Sequence, residues 1–429
     1  MNNHSQGRES FIDPSGRVYQ GWATTLASTV GLSLGPSVLL VFCFGTFITP
    51  LHKEFGWSIA SISAGAMIIS IMIVLTSVVQ GRLVDRFGGR PLVLLSVPLL
   101  AAGFAALYFL PGNIWVFYAA CVAVPWLAVG AWPISYLKMT GVWFERRLGL
   151  AFGIANAGIG IGAAIFPPFA VYMITHYGWR SAYAALGAVA LLVTWPIAFL
   201  FLKDRKDADR HHGAPLAPAQ AGMDLREAWK TRDLKVIAIA FALLGLVTTA
   251  AIVHQSRILI DLGMTPQAAG ALQAVFGVAL IFGRVGTGWL LDRIHAATIM
   301  MVLCACAALA LLGLGMGAPM NSAILCCAAV GFIVGAEFDV LSYIIPRYFG
   351  IKAFGTIYGV VFAVFQLFAA MGVVAVGISR SNSGGYSQAL LALALLLLVC
   401  AFCFRFLGQY RMGGHKPAAQ PPEPAVAGT

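Results

Sequence analysis

Gly81-Arg82-Leu83-Val84-Asp85-Arg86 and Gly288-Trp289-Leu290-Leu291-Asp292-Arg293 are two versions of one hexapeptide, set 207 residues apart. Each closes a long apolar run and opens a polar connector. At the same offset Glu54, Gly56 and Ser58 fall on Asp261, Gly263 and Thr265. Arg146, Gly149 and Gly153 fall on Lys352, Gly355 and Gly359 at an offset of 206. Matched connectors in register mean that the chain is built from two related halves.

Composition says what the halves are made of. Of 429 residues, 60% are hydrophobic and 10% charged, against about 25% charged in a soluble domain. Apolar runs long enough to cross a hydrocarbon core of about 30 Å recur along the whole length. Twelve are read: 22–50, 58–80, 91–110, 114–137, 148–175, 181–202, 234–258, 267–291, 297–317, 321–345, 353–379 and 385–407. The expected fold is an all-α membrane protein, with twelve spans in two pseudo-symmetric six-helix bundles. The expected division is a tail over 1–21, a first bundle over 22–202, a linker over 203–233, a second bundle over 234–407 and a tail over 408–429. Gly158-Ile159-Gly160-Ile161-Gly162 followed by Pro167-Pro168 predicts close packing of span 5 and a kink.

A net charge of +11 raises nucleic acid as a partner, and its distribution excludes that reading. With the N-terminus inside, 22 of the 27 Lys and Arg residues lie in cytoplasmic tails and loops. Only Lys53, Arg180, Arg257 and Arg380 lie outside, and Arg284 is within a span. That asymmetry orients a multi-pass protein with both termini in the cytoplasm, here expected in a bacterial inner membrane. The first apolar run is too long for a cleavable signal and stays as a helix. The eight cysteines lie in apolar runs, Cys400 and Cys403 with C-x-x-C spacing, and read as small buried hydrophobes. His211-His212 reads as solvated linker. No metal or cofactor is expected, and a monomer is the expected state.

Three charges sit well inside apolar runs: Arg284, Glu337 and Asp339. A charge in hydrocarbon costs about 2.5–3.5 kcal/mol on insertion scales, so such residues face a cavity or a partner. Arg284 lies eight residues before Asp292, and Asp339 eight before Arg347, on spans running the same way. At 1.5 Å per residue both are about 12 Å deep. A guanidinium stays charged and fits a carboxylate with two bonds. Arg284 is therefore either a substrate anchor or one side of a structural ion pair. Asp339 shares a face with Gly335, Ser342 and Tyr343, whereas Glu337 lies about 200° away around the helix. Either carboxylate is a candidate proton carrier. His254, the one histidine inside a span, either titrates or is a hydrogen-bonded interfacial residue. Tyr136 and Tyr343 occupy matching places and are candidates to bond a substrate.

The stretch Gly81 to Arg90 resembles the signature between helices 2 and 3 of the major facilitator superfamily, and 288–293 resembles its degenerate second copy. That resemblance covers the whole chain and implies alternating-access transport. It implies a conformational latch made by Gly81, Asp85, Arg86, Arg90, Asp292 and Arg293. Trp143-Phe144-Glu145-Arg146-Arg147-Leu148-Gly149-Leu150-Ala151-Phe152-Gly153 through Gly158 is similar to the helix 5 motif of monocarboxylate transporters. The helix 1 motif is partial, with Gln20 before Gly21-Trp22-Ala23 where an acidic residue is usual. Gly335-Ala336-Glu337-Phe338-Asp339 with Arg347-Tyr348-Phe349-Gly350 resembles bacterial members of the monocarboxylate and oxalate/formate branches.

Two departures bear on mechanism. The family's helix 1 lysine has no counterpart in 22–50, and Leu280 stands where an aspartate one turn before Arg284 is usual. Oxalate/formate exchangers carry a second cation in helix 11, and no Lys or Arg lies between Ala353 and Gly377. One fixed cation balances one carboxylate, which favours a monocarboxylate over a dicarboxylate. The expected function is secondary transport of a small organic monocarboxylate with a proton. An anion exchanger without proton movement and a drug/proton antiporter are the alternatives. The chain carries no G-x-x-x-x-G-K-[ST] or H-E-x-x-H, and no G-x-S-x-G accompanied by a buried histidine, so neither ATP hydrolysis nor other enzyme chemistry is expected.

Overall fold

The computed structural model describes residues 19–144, 146–204, 222–316 and 321–412. The outer parts of both tails and most of the linker, His211 and His212 included, lie outside these residues.

Among the described residues there are twelve helical spans. α1 comprises Gln20–Ser33, a π segment Ser37–Phe42 and Phe44–Phe55. α2 is Ile59–Phe87 and α3 is Gly89–Tyr108. α4 is broken into Ile114–Leu127, Val129–Ala131 and Pro133–Gly141. The helix Leu148–Val189 is two spans, divided where Gly178 adopts φ 82°. We call the first part α5, and α6 runs on from Trp179 through Ala190–Thr194 and Trp195–Phe201. The second half holds α7 (Arg232–Asp261), α8 (Pro266–Leu291), α9 (Ala296–Gly315), α10 (Asn321–Phe349), α11 (Phe354–Ser383) and α12 (Ser387–Phe404). Ten continuous helices meet the length and apolarity of a span; splitting Leu148–Phe201 and adding the interrupted α4 gives twelve. Only Gly178 has non-helical φ/ψ within Leu148–Val189, so the chain turns there while the backbone stays helical through Pro167 and Pro168.

The repeated connectors carry one turn chemistry, which is why they recur. Gly56 (φ 70°) and Gly263 (φ 90°) take the left-handed conformation just past α1 and at the α7–α8 turn. Two residues on, Ser58 and Thr265 accept the Ser61 and Ala268 N–H groups as N-caps of α2 and α8. Glu54 accepts from Trp179 and Arg180, and Asp261 accepts from Arg380 Nε at 3.1 Å. Each half thus ties the end of its first span to an arginine near its last two.

The halves meet through two matched helix pairs, α2 on α11 and α5 on α8. Both contacts are built of glycine. A Cβ at Gly81 would collide with the carbonyl of Gly355, and one at Gly149 with that of Gly288. Gly153 lies against the Arg284 carbonyl, and Gly359 against that of Ser77. Without side chains the backbones approach closely enough to exclude anything else. α5 packs the same way on α1, where Gly158 and Gly162 abut the carbonyls of Thr29 and Ser33.

Candidate functional site

On the basic face the two copies of the hexapeptide reach across the interface. Asp85 accepts from the Gly355 N–H at 3.0 Å, the Thr356 N–H at 2.7 Å and the Thr356 hydroxyl at 2.7 Å. Asp292 accepts from the N–H groups of Gly149 at 2.8 Å and Leu150 at 3.0 Å. Each aspartate therefore occupies the positive end of a helix in the opposite bundle, where four N–H groups lack intrahelical partners. Gly149 and Gly355 are themselves a repeat pair, so the bonds run diagonally across the pseudo-two-fold axis. Lys138 of α4 adds a 2.6 Å ion pair to Asp85 from the same bundle.

Among the described residues the contacts of the arginines at 86, 90 and 293 run within their own bundle. Arg90 donates to the Phe199 carbonyl at 3.0 Å, and Arg293 to the Trp289 carbonyl at 3.0 Å. Arg86 lies over the Phe87 ring at 5.1 Å. The sequence reading gave one role to all six residues; the bonds divide it. The aspartates and Gly81 touch the opposite bundle, whereas Arg90 joins α3 to α6, and Arg86 and Arg293 rest on residues close to them in sequence.

Deeper in the interface lies the charge cluster. Among the described residues five buried side chains are charged: Lys138, Asp233, Arg284, Glu337 and Asp339. Lys138 and Asp233 sit near the basic face, each in an ion pair of 2.6 Å, with Asp85 and Arg411. Arg284 and Asp339 approach only to 4.0 Å, between Nη1 and Oδ1. Nε and Nη1 of Arg284 and Oδ2 of Asp339 have no hydrogen-bond partner among the described residues. That arrangement leaves the guanidinium with open donors in a space shielded from water.

The cluster draws on both bundles. Asn156 of α5 donates from Nδ2 to Asp339 Oδ1 at 2.6 Å, linking the N-terminal bundle to α10. Glu337 faces Thr248 of α7 and also lies in the field of Arg284. Tyr358 of α11 neighbours Ser342 and senses all three charges. Asp339 and Glu337 thus have separate surroundings, as their angular separation on α10 requires, while Arg284 reaches both. Asn156, Thr248 and Tyr358 were not singled out in the sequence. Their signal is a lone polar group within an apolar or glycine-rich run, and it is faint beside a charge.

Three candidates lie elsewhere. His254 bonds the Val373 carbonyl from Nε2 at 3.1 Å, and Nδ1 is 3.2 Å from the Tyr386 hydroxyl. A carbonyl only accepts, so Nε2 donates to Val373, while Nδ1 meets the Tyr386 hydroxyl. Both ring nitrogens are engaged, six residues from Thr248 and about 9 Å along α7. Tyr343 turns toward the basic face, with Arg347 Cζ 5.1 Å from its ring and Tyr410 beyond. Nearby, burial pushes the pKa of His295, in the α8–α9 connector, below its ordinary value. Tyr136 is fully buried against Gly31 of α1, and its hydroxyl has no partner among the described residues.

A profile described as Major Facilitator Superfamily matches residues 30–373. The chain belongs to the Major Facilitator Superfamily. It is a multi-pass membrane transporter and not an enzyme. It is 25% identical over 414 residues to monocarboxylate transporter 11 of Mus musculus, covering 91% of this chain and 88% of that protein. Monocarboxylate transporter 13 of Bos taurus is 25% identical over 386 residues, covering 88% and 87%. Among solved structures, the proton:xylose symporter XylE superposes with a TM-score of 0.68 at 13% identity, over 91% of this chain and 96% of that one. At that identity the likeness concerns the fold.

Proposed function

We propose that this superfamily member carries small organic monocarboxylates together with a proton, by alternating access between its two bundles. The observation that carries the reading is Arg284: a guanidinium buried between the bundles, with Nε and Nη1 unbonded and its nearest carboxylate 4.0 Å away. A substrate carboxylate would complete those donors with two charge-assisted bonds. A proton on Asp339 would remove the competing charge and keep the loaded site near neutral. The monocarboxylate transporters to which the chain is similar support the same substrate class. The excess of Lys and Arg on the basic face supports a cytoplasmic location for that face and for both termini. The Asp85 and Asp292 contacts then close the cytoplasmic side, and their release opens it.

The test is uptake into proteoliposomes of labelled acetate, lactate, benzoate and phenylacetate under an imposed inward proton gradient. Wild type accumulates at least one of them, and Arg284→Ala abolishes that accumulation. Asp339→Asn keeps exchange of the same anion but loses the response to the gradient. Full uptake by Arg284→Ala would overturn the anchor, and accumulation of none of the panel would overturn the substrate class.

A further inference from the structure

We propose that Asn156 is the positioning residue that ties the protonation state of Asp339 to the contact between the two bundles. The inference rests on the reading of Asp339 as the proton-carrying group, and deepens it.

The geometry begins with α5. At three successive turns this helix touches the second bundle: Gly149 through its N–H on Asp292, Gly153 through its backbone on that of Arg284, and Asn156 through its amide on Asp339. The first two contacts are backbone packing and a terminal cap. The third is a side-chain bond to a group that can change charge. Asn156 and Asp339 are both almost wholly buried, at 1% and 0% exposure, so water does not replace either partner while the interface is shut. Opening the basic side draws α5 away from α8 and α10, and must break this bond.

Asp339 divides its two oxygens between two jobs. Oδ1 receives Asn156 at 2.6 Å and faces Arg284 at 4.0 Å, while Oδ2 has no partner among the described residues. A proton arriving on Oδ2 leaves the Asn156 bond in place but turns its acceptor from a carboxylate into a carboxylic acid. A bond to an ionised acceptor is about twice as strong as a neutral one. The other groups facing Asp339 are Arg284 from α8 and Tyr358 from α11; Glu337, two residues back on α10, is turned instead to Thr248 of α7. Asn156 is the group contributed by the N-terminal bundle, so it is the one whose bond depends on how the bundles sit. Ionised Asp339 holds the basic side shut; protonated Asp339 holds it less tightly, by about 5- to 10-fold in the closed-to-open ratio.

The reporter is built into the interface: the amides of Gly149, Leu150, Gly355 and Thr356 are bonded to Asp292 and Asp85 only while the basic side is shut. Hydrogen–deuterium exchange of these amides is measured on the full chain in nanodiscs at pH 5.5 and 8.0, corrected for the intrinsic pH dependence. In wild type, protection is expected to be about 5- to 10-fold higher at pH 8.0. Asn156→Leu is expected to flatten that slope and to show the lower protection at both pH values. Asn156→Gln, which keeps an amide donor, is expected to restore part of it. Asn156→Ala is the second donor-less variant, should the leucine not fold. A wild-type slope in a folded donor-less variant, with Asp339→Asn flat, overturns the role of Asn156 and leaves Asp339 as the proton group. A wild-type slope in Asp339→Asn overturns the reading of Asp339 itself. A wild type without any slope overturns both.

Discussion

Replacing Asp85 by asparagine isolates what one side chain contributes to holding the bundles together. Its carboxylate receives two N–H groups and one hydroxyl from the start of α11, and an ammonium from Lys138. Lys138 belongs to the same bundle, so that pair is present whether the interface is open or shut and cancels from the equilibrium. What differs between the states is the bonding to α11. Asparagine keeps one acceptor oxygen for Gly355 and turns its NH2 toward Thr356, whose hydroxyl can rotate to accept while its N–H loses its acceptor. One charge-assisted bond is lost, about 1.5 kcal/mol, and the two that remain become neutral, about 0.5 kcal/mol each. Losing the charge at the helix N-terminus adds about 0.5 kcal/mol. With some relaxation of Thr356 the closed state is destabilised by about 3 kcal/mol, close to 150-fold in the closed-to-open ratio. Spin labels at Phe87 and Ile294, exposed ends of α2 and of the α8 connector in opposite bundles, read that ratio as two distance populations in a background without native cysteines. Asp85→Asn is expected to move the distribution strongly to the longer distance. A shift below about 5-fold, in protein whose melting temperature is unchanged, would refute the assignment of closure to these bonds.

Asp292→Asn loses one of its two N–H bonds to α5 and makes the other neutral, which counted in the same way shifts the ratio about 50- to 70-fold. Conversely, Leu150→Thr places a hydroxyl where Thr356 has one in the other copy, and is expected to raise the closed fraction about 5-fold in the same distance measurement. Arg284→Lys keeps the charge but loses the planar fork; carboxylate uptake is expected to fall at least about 10-fold, read from initial rates in proteoliposomes. His254→Gln is expected to leave the pH dependence of uptake unchanged and to lower thermal stability by about 1 kcal/mol, because its two bonds are structural. A pH profile displaced by that substitution would return His254 to the proton path.

The twelve spans and their duplication were legible because a bilayer demands long apolar runs, and because turns of the same kind need glycine, serine and aspartate at fixed places. Gly56 with Ser58, and Gly263 with Thr265, are that chemistry in plain sight. Arg284 and Asp339 were legible by cost: a charge at that depth needs a reason. What one sequence withholds is the azimuth of one helix against another. Nothing in the run around Asn156 says that it faces α10, since that depends on how α5 leans on α8 through Gly149 and Gly153. Tyr343 shares its face with Asp339 on paper, but one turn along α10 puts it beside Arg347 and Tyr410, at the basic end. The arginines were grouped with the aspartates by proximity in sequence, and separate in space: Arg293 folds back on the Trp289 carbonyl, and Arg90 reaches the Phe199 carbonyl of its own bundle.

The diagonal bonds of Asp85 to Gly355 and of Asp292 to Gly149 also bear on the ancestry of the chain. Two identical six-helix polypeptides meeting about a two-fold axis would make this contact once in sequence and twice in space, so one substitution would weaken both ends together. Fusion into a single chain frees each copy to drift. Here a difference is visible at the helix ends: the first aspartate receives a threonine hydroxyl at the place where the second meets a leucine. The two clasps, born alike, can now be tuned one at a time along the same seam.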